Sequence, residues 1–375
     1  MERRTLLSLL TGAGVALAGC SQSAETPTET ATPTPESTPT AEPTSTPTAT
    51  PTAEPTDTPT AEPPSPTEEP TAEPTDTPTS EDRTRAAINE ARDALGDVIE
   101  AYESTGSPNA TLLSIDVTVE FTTDDLEAPL ERAEDAIGRA EALATGEQVT
   151  TVAQLRATST WLRHLAEAQA AASDAFDAYV TARDAVYAGD EAGARTAADD
   201  LDPLVDPVAD PLETATAGAE PGDVTVVGLS ERLFEDKNAQ LRAAVRTFRL
   251  VVQQAEPTAA AIATFDAGTE AYADARYGEA RNRYQDAEGD LNLANAVLSD
   301  PDLSASTVGR RTAELACACR ALRDAADDLQ GSAAAGRDDN RSRRERLLSD
   351  AKADLTGCGN VLERIPAVER VRDLD

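Results

Sequence analysis

The chain has 375 residues, and its 32 Lys and Arg against 69 Asp and Glu give a formal net charge of −37 at pH 7. Such a polyanion does not bind nucleic acid or anionic lipid head groups through a basic face, so no nucleic-acid partner is expected. Aromatic residues make up only 3%, with one His and one Trp. Because His is the commonest acid–base and metal-binding side chain, this composition disfavours most metal and acid–base enzymes, and we expect neither a cofactor nor a metal site.

The first twenty residues read MERRTLLSLLTGAGVALAGC. Arg3 and Arg4 precede an apolar run that is too short and too rich in glycine to be preferred as a membrane-spanning helix. The arginine pair resembles a twin-arginine export signal, and the sequence LAGC at 17–20 resembles a lipobox, whose Cys is lipidated after cleavage. The resemblance implies a signal peptide over 1–19 and a lipid anchor on Cys20, at the extracellular face of the cell membrane. An uncleaved anchor would leave the chain on the same side.

Residues 20–80 consist almost entirely of Thr, Pro, Ala, Glu, Asp and Ser, and the decapeptide PTAEPTDTPT occurs at both 51–60 and 70–79. Frequent proline disfavours helix, and a segment without large apolar side chains cannot bury a core. We expect a disordered, extended stalk of polyproline type, stiffened by eleven acids and no base. Its composition also fits O-glycosylation. The stalk would act as a spacer between the membrane and a folded body.

The body, residues 81–375, holds 57 acids and 30 bases and therefore carries a net charge of −27. Lysine occurs only as Lys237 and Lys352. Carboxylates hold water and hydrated cations well, whereas the long lysine stem exposes apolar surface. This acid-rich, lysine-poor composition resembles that of haloarchaeal proteins adapted to molar salt. A Debye length of about 3 Å at 1 M salt would screen the repulsion between the acids.

Apolar residues of the body recur at gaps of three and four, first at Ile88, Ala91, Leu95, Val98 and Tyr102. This periodicity is typical of helices that bury one face. It predicts an all-α body of antiparallel helical hairpins, either stacked in pairs or packed as an irregular bundle, with a candidate sub-boundary near 202–229. The first predicted helix covers 80–105, and a second follows the residues 123–125 and carries Leu126, Leu130, Ala133 and Ile137. The other predicted helices cover 152–187, 191–201, 231–256, 259–276, 279–298, 304–335 and 341–365.

Two stretches, 112–121 and 224–227, break the helical pattern with strand-like sequences. They would pair as a small ribbon or run as extended connectors that tuck apolar residues against helix ends. Because an isolated two-stranded ribbon is marginally stable, we favour connectors.

The tripeptide Phe-Asp-Ala at 176–178 returns at 265–267, and a Tyr- and Ala-rich helix, a glycine and Glu-Ala follow each copy. This pattern resembles the turn and second helix of tetratricopeptide-type repeats, although the chain lacks their period of about 34 residues. The resemblance implies paired helices with extended grooves between them.

Beyond Cys20, the cysteines are Cys317, Cys319 and Cys358. Cys319 and Cys358 fall on the apolar stripes of the last two predicted helices, and an antiparallel hairpin turning near 338 would place them opposite each other. We therefore predict a Cys319–Cys358 disulfide in an oxidising environment outside the membrane, with two buried free thiols as the alternative. A metal site is not expected, because Cys-x-Cys on a helix separates its two side chains and no His lies nearby in sequence.

The Asp-Pro pairs at 202, 206 and 210 would align their carboxylates if the segment were helical, as a cation-binding ridge. Because proline disfavours helix at the residue that precedes it, we expect solvated turns or a kinked connector.

His164 lies beside the apolar stripe of its predicted helix and is interpreted as a structural residue. The arginines at 310–311 and 341–346 would form ion pairs with neighbouring acids or dock an acidic partner.

Asn109 and Asn340 each begin an N-glycosylation sequon in a predicted loop.

No nucleophile elbow, phosphate loop or dinucleotide-binding motif occurs, and no catalytic residue is predicted. We expect a non-catalytic binding or scaffold module for another envelope protein. Two alternatives remain, a lipoprotein that captures a solute or ion for a transporter and an envelope enzyme that uses carboxylates alone.

Adaptation to molar salt predicts that the chain loses helix when KCl is dialysed away, because acid–acid repulsion is then no longer screened. Circular dichroism at 222 nm across a KCl series measures this loss. A protein that stays helical and soluble in dilute buffer would contradict the halophilic interpretation.

Overall fold

A computed structural model describes residues 78–375, so the predicted export signal with Arg3 and Arg4, the anchor Cys20 and nearly all of the stalk lie outside the described residues. Residues 78–375 form one compact unit that contains α-helices, three short 3₁₀ turns and no strand. This confirms the predicted all-α fold. The helices are α1 Ser80–Ser104, α2 Asp124–Glu141, α3 Glu147–Ala188, α4 Glu191–Gly218, α5 Glu231–Ala273, α6 Tyr277–Leu298, α7 Thr307–Arg337, α8 Arg341–Asp354 and α9 Pro366–Arg372.

Successive helices pack as antiparallel hairpins in two layers. The odd-numbered helices α1, α3, α5 and α7 pack on one another in chain order, and each even-numbered helix packs on its odd-numbered neighbours. Within 78–375 the even-numbered helices make no substantial contact with one another. The odd layer therefore forms the centre of a single continuous core, and grooves separate the helices of the other layer.

Helix α4 contains all three Asp-Pro pairs, so the prediction of turns there was wrong. An apolar stripe at Leu201, Val205, Val208, Leu212 and Ala215 is buried along the helix. Pro203 and Pro207 are exposed and Pro211 is half-buried, so none of the three prolines belongs to the buried stripe. The carbonyls that lose an N–H partner therefore lie towards water. Burial of the stripe outweighs the local preference of each residue before proline. The core also continues across 202–229, because α4 packs on both α3 and α5.

Helix α5 is continuous over 43 residues, where the sequence predicted two helices divided near Pro257. Pro257 is exposed on the outer face of α5, and Ala255, Ala259 and Ile262 continue the buried stripe past it. The proline removes one backbone hydrogen bond at the surface without interrupting the packed face.

The strand-like stretch 112–121 is a connector between α1 and α2, as favoured. Its residues Leu112, Ile115, Val117 and Phe121 are buried, and side chains of α3 and α5 donate hydrogen bonds to its backbone carbonyls. The second stretch forms the 3₁₀ turn Asp223–Val227, with Val224 fully buried. Side chains satisfy the connector's carbonyls, so strand pairing is not needed.

The Phe-Asp-Ala echo does not mark equivalent positions in the two hairpins. Gly189 ends α3 in the left-handed conformation at φ 66°, whereas Gly278 lies in the first turn of α6. The left-handed residue before α6 is instead Ala275, at φ 58°. The two copies of the repeated sequence therefore lie at different positions relative to the turns of their hairpins.

The predicted Cys319–Cys358 disulfide is wrong, because Cys317 is the residue bonded to Cys358, with 5.8 Å between their Cα atoms. Cys319 is buried and free, and burial raises the pKa of its thiol to about 12. Helix α8 ends at Asp354 instead of continuing to 365, so Cys358 lies in a bend beyond it. The predicted placement of Cys319 opposite Cys358 holds only if both segments are helical. The bend instead brings Cys358 to the side of α7 that carries Cys317.

Non-reducing peptide mapping is expected to recover Cys317 linked to Cys358, with Cys319 alkylated only after unfolding. Cys358→Ser opens a 41-residue loop and should lower the unfolding free energy by about 4 kcal/mol. Cys319→Ala keeps the crosslink and serves as the control. Recovery of a Cys319–Cys358 peptide would contradict the assignment.

Candidate functional site

A groove of about 340 Å³ lies between α4 and α5. Its floor is apolar, formed by Ala209 and Leu212 of α4 and Val245 of α5. Arg242, Arg246 and Arg249 of α5 line one wall, and Glu213 and Thr216 of α4 line the other. The groove is therefore a strip of apolar surface beside a row of guanidinium groups.

The three arginines share one face of α5 because their spacing, i, i+4 and i+7, matches two helical turns. All three are exposed. Arg246 lies 3.1 Å from Asp302 and Arg249 lies 3.6 Å from Asp206, while Arg242 makes no ion pair within residues 78–375. Sequence reasoning missed this row. Its spacing is visible in the sequence, but the groove beside it depends on which helix packs there.

The exposed carboxylates of the Asp-Pro pairs follow α4 past the same groove. Asp202, Asp206 and Asp210 lie one turn apart, and only Asp206 forms an ion pair among the described residues. Among those residues, no group of three or more His, Cys, Asp or Glu side chains is arranged to hold a metal ion. The aspartates therefore act as solvated charges on the outer side of α4.

A second groove, of about 270 Å³, lies between α2 and α3 in the equivalent place one hairpin earlier. Its floor again contains leucines, Leu126 and Leu130, but its charged lining is acidic, with Glu127, Glu131 and Glu167. Its arginine, Arg163, lies 2.6 Å from Glu134. The same packing thus produces two grooves whose charges are opposite in sign.

Lys237 of α5 is fully buried, which is unusual for a lysine. Its ammonium donates hydrogen bonds to the carbonyl of Ile115 in the 105–123 connector, to Gln169 Oε1 at 3.0 Å and to Gln240 Oε1 at 2.9 Å. The ring of Tyr102 lies 5.4 Å from the nitrogen. Lys237 therefore joins the connector to α3 and α5 and contacts α1.

Burial lowers the pKa of Lys237 to about 7, an effect that the nearby Asp116 carboxylate partly offsets. The three acceptors match the three N–H groups of the charged form, whereas a neutral amine would leave one acceptor unpaired. A lowered lysine pKa is also typical of catalytic lysines, but this nitrogen is enclosed by its partners. Its arrangement is that of a structural clamp.

Three carboxyl groups elsewhere have raised pKa values. Burial, followed by repulsion from Asp354, Asp350 and Asp327, raises the pKa of Asp328 to about 6. Burial and nearby acids also raise the pKa of Asp354. Neither carboxylate lines the two grooves above.

Burial is likewise the main cause of the raised pKa of Asp266 on α5, whose carboxylate pairs with Arg370 of α9. Asp266, Glu270 and Arg370 line a smaller pocket of about 220 Å³. Arg370 contacts both acids, so these charges hold the C-terminal helix on α5.

Of the remaining predicted residues, the two sequon asparagines line neither groove, and His164 contacts the α2–α3 groove only through Glu167. Asn109 is exposed in a turn at φ 69°, and the exposed Asn340 caps α8 by accepting a hydrogen bond from the Arg343 amide. The ring nitrogen Nδ1 of His164 lies 2.8 Å from Glu167.

The two arginine clusters contact neighbours within the fold. Arg310 donates to Thr307, and Arg311 lies over the ring of Phe176. In the 341–346 cluster, Arg341 pairs with Glu345 and Arg344 donates to Tyr277. Both arginines of the 310–311 cluster and two arginines of the 341–346 cluster therefore have partners within the fold.

Comparison with known proteins adds no relative: no protein-family model, curated protein or solved structure matches the chain. No helix of the described part is both long and apolar enough to cross a membrane. Any functional conclusion therefore depends on the residues themselves.

The low pKa of Lys237 predicts a pH dependence of stability. Between pH 7 and 10.5 the unfolded chain holds a proton that the folded chain has released, so unfolding free energy should rise with pH in this range. Lys237→Met should remove that rise, measured by denaturant unfolding in constant molar KCl. Lys352→Met, which changes the only other lysine, should keep it. An unchanged profile in Lys237→Met would contradict the assignment.

Proposed function

We propose that the chain is an exported lipoprotein, anchored to the cell membrane through Cys20, whose body is a non-catalytic binding module for another envelope protein. The observation that carries the proposal is the α4–α5 groove, where three arginines border an apolar floor on a body with a net charge of −27. Positive charge gathered along one groove of an acidic protein favours recognition of an anionic partner.

The N-terminal sequence supports the location. Arg3 and Arg4, the LAGC segment and the Thr/Pro-rich stalk succeed one another as a signal, an anchor and a spacer would. A stalk of this composition would hold the body away from the lipid, where it meets other surface proteins in high salt. The acid-rich, lysine-poor composition supports a haloarchaeal envelope as the setting.

Two features favour a protein partner over a captured solute or a reaction. Arg242, Arg246 and Arg249 are exposed, whereas small-molecule sites usually enclose most of their ligand. A carboxylate enzyme needs two carboxyl groups of different pKa around a cleft, and Asp328 and Asp354 lie outside both grooves. Asp266 and Glu270 do share the pocket of about 220 Å³, but Arg370 pairs with both carboxylates there.

Affinity capture from detergent-solubilised membranes in molar KCl tests the proposal, with the full chain as bait and mass spectrometry as the readout. We expect one stoichiometric partner, retained by Arg232→Ala and lost by the triple variant Arg242→Ala, Arg246→Ala, Arg249→Ala. Arg232 is an exposed arginine of the same helix outside the groove, so it controls for charge. Absence of any stoichiometric partner would contradict a binding module for an envelope protein.

A further inference from the structure

We infer that the α4–α5 groove binds an extended acidic peptide segment, with carboxylates on alternate residues, supplied by the partner protein. The inference rests on the proposed function and specifies the chemistry that the groove recognises. Its recognition elements are Arg242, Arg246 and Arg249 along α5 and the apolar floor of Leu212 and Val245.

The spacing of the arginines fits an extended peptide. With a rise of about 1.5 Å per residue, Arg242 and Arg246 are separated by about 6 Å along α5, and Arg242 and Arg249 by about 10.5 Å. Alternate side chains of an extended peptide point the same way and are separated by about 6.6 Å. Glutamates at alternate positions therefore match Arg242 and Arg246 to within about 1 Å. Arg249 lies about 2.7 Å short of the third position, a difference that its long side chain can span while the peptide backbone follows the groove.

The arginines are available for an external partner. Arg242 makes no ion pair within residues 78–375. Arg249 is 3.6 Å from Asp206, and Asp302, the partner of Arg246, has a side chain that is 69% exposed. Exposed pairs of this kind contribute little to stability, so a carboxylate from a bound peptide can replace either aspartate.

Binding of this kind tolerates high salt. Salt screens charges separated by more than a Debye length, about 3 Å at 1 M, and therefore weakens long-range attraction more than direct contact. A guanidinium can donate two parallel hydrogen bonds to one carboxylate, and contact with Leu212 and Val245 adds apolar burial that salt does not screen.

The α2–α3 groove provides a control within the same molecule. It also has an apolar floor, but three of its four charged lining residues are acidic, and the fourth, Arg163, pairs with Glu134. Like charges repel, so an acidic peptide should avoid it. The stalk of the chain is also acidic, with eleven carboxylates and no base, and is a competing occupant that the experiment has to separate.

The probe is a fluorescein-labelled ten-residue peptide of alternating Glu and Ala, compared with its Gln–Ala counterpart, titrated with the full chain in 0.2 M and 2 M KCl. Fluorescence anisotropy should show binding of the Glu–Ala peptide only. Each single variant, Arg242→Ala, Arg246→Ala or Arg249→Ala, should weaken binding by roughly two- to five-fold, as expected for an exposed ion pair. Arg232→Ala and the pair Glu127→Gln, Glu131→Gln should leave affinity unchanged, and circular dichroism should show that every variant stays helical.

Three results would overturn the inference: equal binding of the Gln–Ala peptide, unchanged affinity in the arginine variants, or no binding of the peptide at millimolar concentrations of the chain. A fourth would assign the groove to the stalk, namely binding that appears only after Glu54→Gln, Asp57→Asn, Glu73→Gln and Asp76→Asn. A partner that the triple arginine variant still captures would contradict the assignment of the α4–α5 groove but not the proposed function. Peptide binding without a captured partner would sink the proposed function alone.

Discussion

The packing of α3 against α5 is the contact on which the other helices depend. Both helices exceed forty residues, and each supplies many buried alanines to the core. Small side chains let the two backbones approach closely, although each contact then buries little apolar area. Helix α4 packs on both, α1 and α2 pack on α3, and α6, α7 and α9 pack on α5. Loss of this contact would divide the surface on which α4 packs and separate the N-terminal helices from the C-terminal ones.

Lys237 adds a polar constraint to that apolar centre. Its ammonium is bonded to the 105–123 connector and to glutamines of α3 and α5, so one side chain fixes the connector to both central helices. Lys352 acts similarly on a smaller scale, since its ammonium donates to the backbone carbonyl of Leu374. The two lysines of this chain therefore both hold backbone segments, while arginine supplies the positive charge of the surface.

The two grooves follow from the same arrangement. Even-numbered helices contact their odd-numbered neighbours and not one another. A groove with an apolar floor therefore remains beside α2 and another beside α4. The side chains that line each groove then determine the sign of its charge, with glutamates in the α2–α3 groove and arginines in the α4–α5 groove. A repeated scaffold with varied side chains is how helical hairpin proteins acquire different partners.

The periodicity of apolar residues was sufficient to predict an all-α body and the buried faces of its helices, because a helix must bury one stripe wherever it packs. Ile88, Leu95, Val98 and Tyr102 are buried as their spacing indicates. Local signals failed where tertiary packing outweighed them. The prolines of α4 and Pro257 of α5 lie outside the buried stripes of their helices, so helix continues through residues that favour a break.

The disulfide, the buried lysine and the arginine groove were decided by the tertiary structure alone. Cysteine pairing depended on where α8 ends, and one bend was enough to exchange Cys319 for Cys317. The role of Lys237 depended on the carbonyl of Ile115, in a connector more than a hundred residues earlier in the chain. Amino-acid spacing determines which side chains share a helical face, but only the packing of distant segments determines what that face meets.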